Sequence, residues 1–381
     1  MNPDDFRAPQ AGKVIRTPKG YYAFIPSDLP PDLFFDARLV TALSQADAAL
    51  SELSGSGRHL PNPHLLIKPY IRREAVLSSR IEGTKTDLTD LWMRDVENWE
   101  KHEETADIQE VRNYITALEY GIQRLATLPL SLRLVREIHA HLMEGVRGNQ
   151  ATPGEFRRSQ NWIGPAGSTI ADAPYVPPPP DELMVTLGKW EEFLQERDRL
   201  PDLVQCALMH EQFEAIHPFL DGNGRVGRLL ITLFLMERRR LSQPLLYLSS
   251  YIEAHRQDYY DLLQNVRTHG DWNAWIMFFL KGVKETAQQA LRQTSTLVDL
   301  RESYYKQLLG FPKAANLIDQ LFVNPYITVA RAEKELKTSN PTARKAVEIM
   351  EKKGILREIT GRDWGKVYLA SEIAEAIQNP S

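Results

Sequence analysis

The sequence predicts a mainly α-helical protein with one irregular flap and a C-terminal module of short helices plus a hairpin. Three observations carry this. Apolar residues recur at three- and four-residue steps over most of residues 37–308. One stretch, 153–180, breaks that period with Gly, Pro and aromatic residues. Beyond Pro312, three short periodic segments give way to two alternating ones.

A chain of 381 residues predicts two or three domains. Its 43% hydrophobic and 25% charged residues are ordinary for a globular protein. The formal charge of −4 gives no global basic field, so any nucleic-acid site must be local. The single cysteine, Cys206, excludes an internal disulfide and a cysteine zinc cluster, and fits a reducing compartment. The N-terminus is acidic and polar, unlike a signal peptide. The apolar runs Leu229–Met236 and Trp275–Leu280 are far shorter than the roughly 20 residues that span a bilayer. The expected location is cytoplasmic, with no membrane partner.

Taken in order, residues 1–35 are rich in Pro, Gly and Asp and read as an extended arm. Leu39, Leu43, Ala46, Leu50 and Leu53 mark a first helix from Ala37, with a stop at Gly55-Ser56-Gly57. A second helix is expected from Pro69 to Ile81, ending at Gly83, and a third from near Asp87. Residues 105–143 read as two helices parted by Leu128-Pro129. Phe156–Gly164 suits an extended or hairpin segment, and Pro177–Pro180 a stiff connector. Helical period returns at Asp181. Trp272, Ile276, Phe279, Leu280 and Val283 form the core stripe of one long helix. Leu317–Phe322, Val329–Leu336 and Pro341–Lys353 follow as three short helices, the last capped by Asn340-Pro341. Residues 354–359 and 366–369 then alternate as two strands joined through Gly361–Gly365. Three helices and a hairpin outline a winged helix. The expected divisions are 1–105, 106–295, a helical linker 296–311, and the winged helix 312–381.

The chemistry lies in His217-Pro218-Phe219-Leu220-Asp221-Gly222-Asn223-Gly224-Arg225-Val226-Gly227-Arg228. An amphipathic helix precedes it and a hydrophobic one follows, so it is a helix–loop–helix. A Walker loop follows a strand and ends Gly-Lys-Ser/Thr, which excludes it here. Gly222 and Gly224 let backbone N–H groups approach an anion at a helix start, where the dipole favours negative charge. Arg225 and Arg228, three apart, share a helix face and can reach one polyphosphate. Asn223 adds an amide donor. Asp221 would be repelled by bare phosphate, which suggests a bridging Mg²⁺. His217 can take a proton at neutral pH. These parts suit attack by a hydroxyl on a nucleotide phosphate.

The stretch resembles the Fic family signature His-x-Phe-x-Asp/Glu-Gly-Asn-Gly-Arg-x-x-Arg at every fixed position, within a resemblance over roughly residues 60–290. The resemblance implies a helical Fic core with a β-hairpin flap. It also implies Mg²⁺-dependent transfer of AMP from ATP to Ser, Thr or Tyr of a target protein, or of the chain itself. His217 would be the base and Asp221 the metal ligand. Gly222, Asn223, Gly224, Arg225, Val226, Gly227 and Arg228 would line the ATP phosphates. Tyr251 and His255 fall where the family closes over adenine, with Tyr259 and Tyr260 beside them; relatives often carry Asn in place of His255.

Ser78-Ser79-Arg80-Ile81-Glu82-Gly83 is similar to the family's inhibitory motif Ser/Thr-x-x-x-Glu-Gly/Asn. Ser78 and Glu82 lie four apart and face one way. Glu82 would pair with Arg228 and repel the outer phosphate. The 153–180 segment looks like the flap that aligns a target chain, and a homodimer is compatible with the resemblance.

His210 reads as a core histidine, Cys206 as a buried helix residue, and Glu211 and Glu214 as solvent-facing. His59, His64, His102, His139, His141 and His269 have no ligand spacing. Residues 331–366 carry ten Lys or Arg against six Asp or Glu, with Arg344 and Lys345 on the third short helix. A competing reading therefore makes the chain a DNA-binding regulator that senses nucleotide. The intact His217 favours the enzyme.

Overall fold

The computed structural model describes residues 1–58, 63–96, 105–146, 152–165 and 167–379. His59 and His102 lie outside the described residues. Described helices dominate, with two small antiparallel sheets. The N-terminal arm is more regular than its composition predicts. Strands β1 (Gly12–Arg16) and β2 (Tyr22–Pro26) form a hairpin, with Val14 opposite Phe24. Phe24 packs with Phe6, Tyr175 and Ala215 in a small apolar cluster. That burial gives a Pro- and Gly-rich segment its reason to pair.

The N-terminal helices are α1 (Ala37–Arg58), α2 (Pro63–Ile81), α3 (Leu88–Val96), α4 (Ala106–Arg124) and α5 (Leu132–Leu142). Two expected boundaries shift. Helix α1 runs through Gly55-Ser56-Gly57 because it is buried there: Gly57 lies against Leu245 and Ser242. Packing outweighs the roughly 1 kcal/mol that a helical glycine loses relative to alanine. Helix α2 begins at Pro63, so Pro69 sits inside it rather than at its start. After the flap come α6 (Pro180–Gln195), α7 (Asp202–Ile216), α8 (Asn223–Glu237), α9 (Ser249–Ala254), α10 (Arg256–His269) and the long α11 (Trp272–Gln307).

Helices α7 and α8 form the centre. Every residue of α7 from Leu203 to Ile216 is buried. Helices α2, α4 and α5 pack on α8, and α6, α10 and α11 on α7. The bend between α7 and α8 is thus fixed from all sides. Among the described residues, the flap contains one antiparallel bridge, Ile163 with Tyr175, instead of a β-hairpin. Pro174 and Pro177–Pro180 have no N–H to extend a ladder.

At the C-terminus, α12 (Pro312–Ala315) and α13 (Ile318–Val323) precede β3 (Tyr326–Thr328), α14 (Val329–Leu336) and α15 (Asn340–Lys352). Strands β4 (Arg357–Glu358) and β5 (Val367–Leu369) complete a sheet of order β3-β5-β4, and α16 (Ser371–Gln378) closes the module. Strand β3 and helix α16 were not visible in the sequence pattern. Helix α13 packs on α2, and α16 on both α11 and α2. One continuous buried apolar cluster runs from Leu39 to Ile377. Among the described residues, no helix is long and apolar enough to cross a membrane.

Candidate active site

The site sits at the α7–α8 bend. His217 caps α7 in the left-handed region at φ 49°, ψ 61°, and Gly222 starts α8 at φ 78°. Two reversals within six residues fold the chain into a cup. Asn223 staples it shut: its Oδ1 accepts from the Phe219 N–H at 2.8 Å, and its Nδ2 donates to the Phe219 carbonyl at 2.9 Å. The Asn223 amide therefore shapes the loop with its oxygen and one of its two N–H groups. The first backbone N–H groups of α8 have no intrahelical acceptor.

The flap grips the same bend. Arg157 is buried and donates from Nε to the His217 carbonyl at 2.9 Å and from Nη2 to the carbonyls of Pro178 and Ile216. Asn161 Nδ2 donates to the carbonyls of His217 at 3.2 Å and Phe219 at 2.8 Å. On the other side, His139 Nδ1 accepts the Gly154 N–H at 2.9 Å, which leaves Nε2 to donate to the Asp221 carbonyl at 3.1 Å. The His139 ring stacks on Phe219 at 3.7 Å. Burial pushes its pKa down to about 4, so it stays neutral. None of these three residues was singled out in the sequence, because their partners are far away along the chain.

His217 is pushed down to about 3, first by burial and then by the charges of Arg157 and Arg267. Its Nδ1 is buried without a hydrogen-bond partner among the described residues. A neutral imidazole is the form that can accept a proton.

The two arginines separate. Arg228 is buried, donating from Nε to Ser78 Oγ at 2.9 Å and from Nη2 to the Ser78 carbonyl at 2.9 Å and Glu82 Oε1 at 2.7 Å. Burial opposes its charge, but Glu82 and other neighbours outweigh that and hold its pKa above the usual value. Burial likewise opposes ionisation of Glu82, and the Arg228 charge and hydrogen bond reverse this, holding the carboxyl below its usual range. Glu82 lies so close to Gly224 that a β-carbon there would collide with Oε1. Arg225 turns elsewhere, to Glu110 at 3.1 Å and Asp221 at 3.5 Å. The two guanidiniums therefore do not share one anion here.

Val226 and Gly227 face inward. Val226 is in the core, and a β-carbon at Gly227 would strike Glu214 Oε1. Tyr251 stacks on His255 at 4.3 Å, and the His255 Nδ1 meets the Tyr251 carbonyl at 2.9 Å. Tyr260 is exposed, whereas Tyr259 is core and pairs with Nε2 of the buried His210 at 2.9 Å. Cys206 is buried. Glu211 and Glu214, expected in solvent, are 2% and 6% exposed. Helix α7 has no solvent face: Glu211 meets Arg267 of α10 at 3.4 Å, and Glu214 faces α8 with Oε1 unpaired among the described residues. Burial pushes both carboxyls up to about 7.

Residues 40–123 match a family model described as Fic/DOC family N-terminal, and residues 129–235 one described as Fic/DOC family; together they cover about half of the chain. The chain is 30% identical over 200 residues to the protein adenylyltransferase Fic of Aedes aegypti, covering 52% of this chain and 36% of that protein. It is 32% identical over 200 residues to the Culex quinquefasciatus counterpart, with the same coverage. The chain thus spans about a third of the length of these curated relatives. A Fic family protein from Desulfovibrio desulfuricans shares the fold at 20% identity and a TM-score of 0.57, over 90% of this chain and 98% of that one. A segment of Fic-1 from C. elegans does so at 20% and 0.52, over 68% and 74%.

Proposed function

This chain belongs to the Fic/DOC family, and on that premise we propose that it transfers AMP from ATP to a hydroxyl side chain of a target protein, with release of pyrophosphate. One observation carries the reading. The Glu82 carboxylate rests on Arg228, against Gly224 at the start of α8, beside the His217 loop. An anion already sits where this arrangement would hold a phosphate.

In the reaction, His217 takes the proton of the target hydroxyl. The hydroxyl oxygen bonds to the α-phosphorus, the bond from that phosphorus to the bridging oxygen breaks, and its electron pair leaves with pyrophosphate. Backbone N–H groups of Asn223 and Gly224 hold the α-phosphate side, the Gly222 N–H being donated to Asp221 Oδ1, and Arg225 and Arg228 hold the outer phosphates. Tyr251 and His255 border the base. Ser78 and Glu82 are the brake, because the Glu82 carboxylate takes up Arg228 and repels the outer phosphate.

A magnesium ion fits this site as a companion of the substrate. Asp221 offers one carboxylate, 59% exposed, and no group of three ligand side chains occurs among the described residues. Mg²⁺ commonly takes one or two carboxylates and the substrate phosphates. Asp221 would hold it, and when bound it would offset phosphate charge.

We assign residues 312–381 to a winged helix, on the element order and the β3-β5-β4 sheet. On α15, Arg344 and Lys345 are exposed together with Glu348 and Glu351, a mixed surface that favours a protein-facing role over DNA.

The test is incubation with ATP labelled at the α-phosphate, plus Mg²⁺, with intact-mass analysis. Glu82→Gly is expected to label itself or added protein and His217→Ala to stay unlabelled. Label on His217→Ala equal to that on Glu82→Gly would overturn the assignment. Label arriving only from γ-labelled ATP would make the chain a phosphotransferase.

A further inference from the structure

Each arginine of the 217–228 stretch is held by a carboxylate from the N-terminal helices. Glu82 holds Arg228; Glu110 of α4 holds Arg225. Glu110 does more than neutralise a buried cation. The same oxygen, Oε2, accepts from Arg225 Nη1 at 3.1 Å and from Thr84 Oγ1 at 3.1 Å.

Thr84 stands two residues after Glu82, in the turn that leads from α2 to α3. One helical turn before Glu110, Asp107 Oδ2 accepts the Lys85 N–H at 2.9 Å. The Thr84 N–H itself reaches back to the Ser79 carbonyl at 3.2 Å. Two carboxylates on one face of α4 thus fix the turn that carries Glu82. Arg225 is 3% exposed, its Nε has no partner among the described residues, and its other acidic neighbour, Asp221, is farther away at 3.5 Å. Glu110 is therefore the closer charge that orients it.

We propose that Glu110 is a positioning residue with two opposed effects on the transfer reaction. Through Thr84 it keeps Glu82 seated over Gly224. Through Arg225 it keeps a guanidinium at the rim of the phosphate cradle. The first effect restrains the enzyme; the second serves it. This inference rests on the function proposed above and adds a residue to both its brake and its cradle.

The two arms separate by substitution. Thr84→Val cuts only the link to the turn and keeps the side-chain shape. It is expected to raise transfer about fivefold in the otherwise native chain, the factor that corresponds to one lost hydrogen bond of about 1 kcal/mol. In the Glu82→Gly background, where no brake remains, it changes nothing. Glu110→Gln in the Glu82→Gly background is expected to lower transfer about tenfold, through a higher half-saturating ATP concentration. Unchanged transfer by Thr84→Val, or full activity of the Glu82→Gly, Glu110→Gln protein, would overturn the proposal. So would a loss in turnover alone accompanied by a lower melting temperature, which is what a merely structural carboxylate would give. If Glu82→Gly transfers nothing, the proposed function fails, and the brake arm is read by hydrogen exchange. Amides of residues 82–86 are then expected to exchange about fivefold faster in Thr84→Val and in Glu110→Gln; unchanged exchange would overturn this inference by itself.

Discussion

The loop over 217–228 and the flap above it are both irregular, and they are held in opposite ways. The loop is stapled by near neighbours: Asn223 to Phe219, Asp221 to Gly222, and the His217 N–H to Phe213. The flap is held by distant groups. Arg157 and Asn161 reach across to the loop, Tyr21 donates to Gln160, and the Phe24 N–H to the Val176 carbonyl. The loop's own residues supply its closest staples, while Arg157, Asn161 and His139 hold its carbonyls from outside; the flap leans more heavily on distant groups. Changes in the loop should therefore alter chemistry more than stability, and changes in flap anchors should alter both.

The largest expected effect is that of His217→Ala. Transfer should fall by about 10²–10⁴-fold, the usual contribution of a positioned base, with ATP binding and melting temperature nearly unchanged. A large drop in melting temperature would break the contrast drawn above. Arg157→Ala should lose stability as well as activity. It removes a buried donor set, so a loss of about 3 kcal/mol in denaturant unfolding is expected, together with a displaced His217 and about 10²-fold weaker transfer. Native-like unfolding of that variant would show the flap to be ornamental. Asn161→Ala removes two hydrogen bonds and should cost about 1–2 kcal/mol, with a milder fall in transfer.

The smallest effect concerns Glu214. Its native carboxyl titrates near 7, above the ordinary glutamate value, because it is buried. A raised carboxyl favours the folded chain below the unfolded pKa, and that contribution is lost as pH rises through the native one. Glu214→Gln should therefore gain thermal stability relative to the native chain between pH 5 and pH 8, by about 2–4 °C. An equal difference at both pH values would place Glu214 in contact with solvent.

Much of this was legible in the sequence because it is local. The signature residues, the Ser78–Glu82 spacing and most helices follow from periodicity and short motifs, and Glu82 does meet Arg228. What was missed depends on packing between distant segments. Glu211 and Glu214 look solvent-facing by charge alone, yet α7 is enclosed and Arg267 arrives from α10. His139 shows no ligand spacing because its partners are backbone groups at Gly154 and Asp221. The N-terminal hairpin is invisible until Tyr175 and Ala215 supply its apolar floor. Arg225 and Arg228 share a helix face, but Glu110 draws one of them aside.

The absent side chain at Gly224 has a further consequence. The clearance that the proposed function assigns to a nucleotide's oxygens is the one that Glu82 enters. On the function proposed above, Glu82 would act as a tethered competitor whose effective concentration depends on the turn at Gly83–Lys85, which Glu110 and Asp107 hold. The strength of restraint can then be graded by slackening or tightening that leash, while the catalytic residues stay as they are.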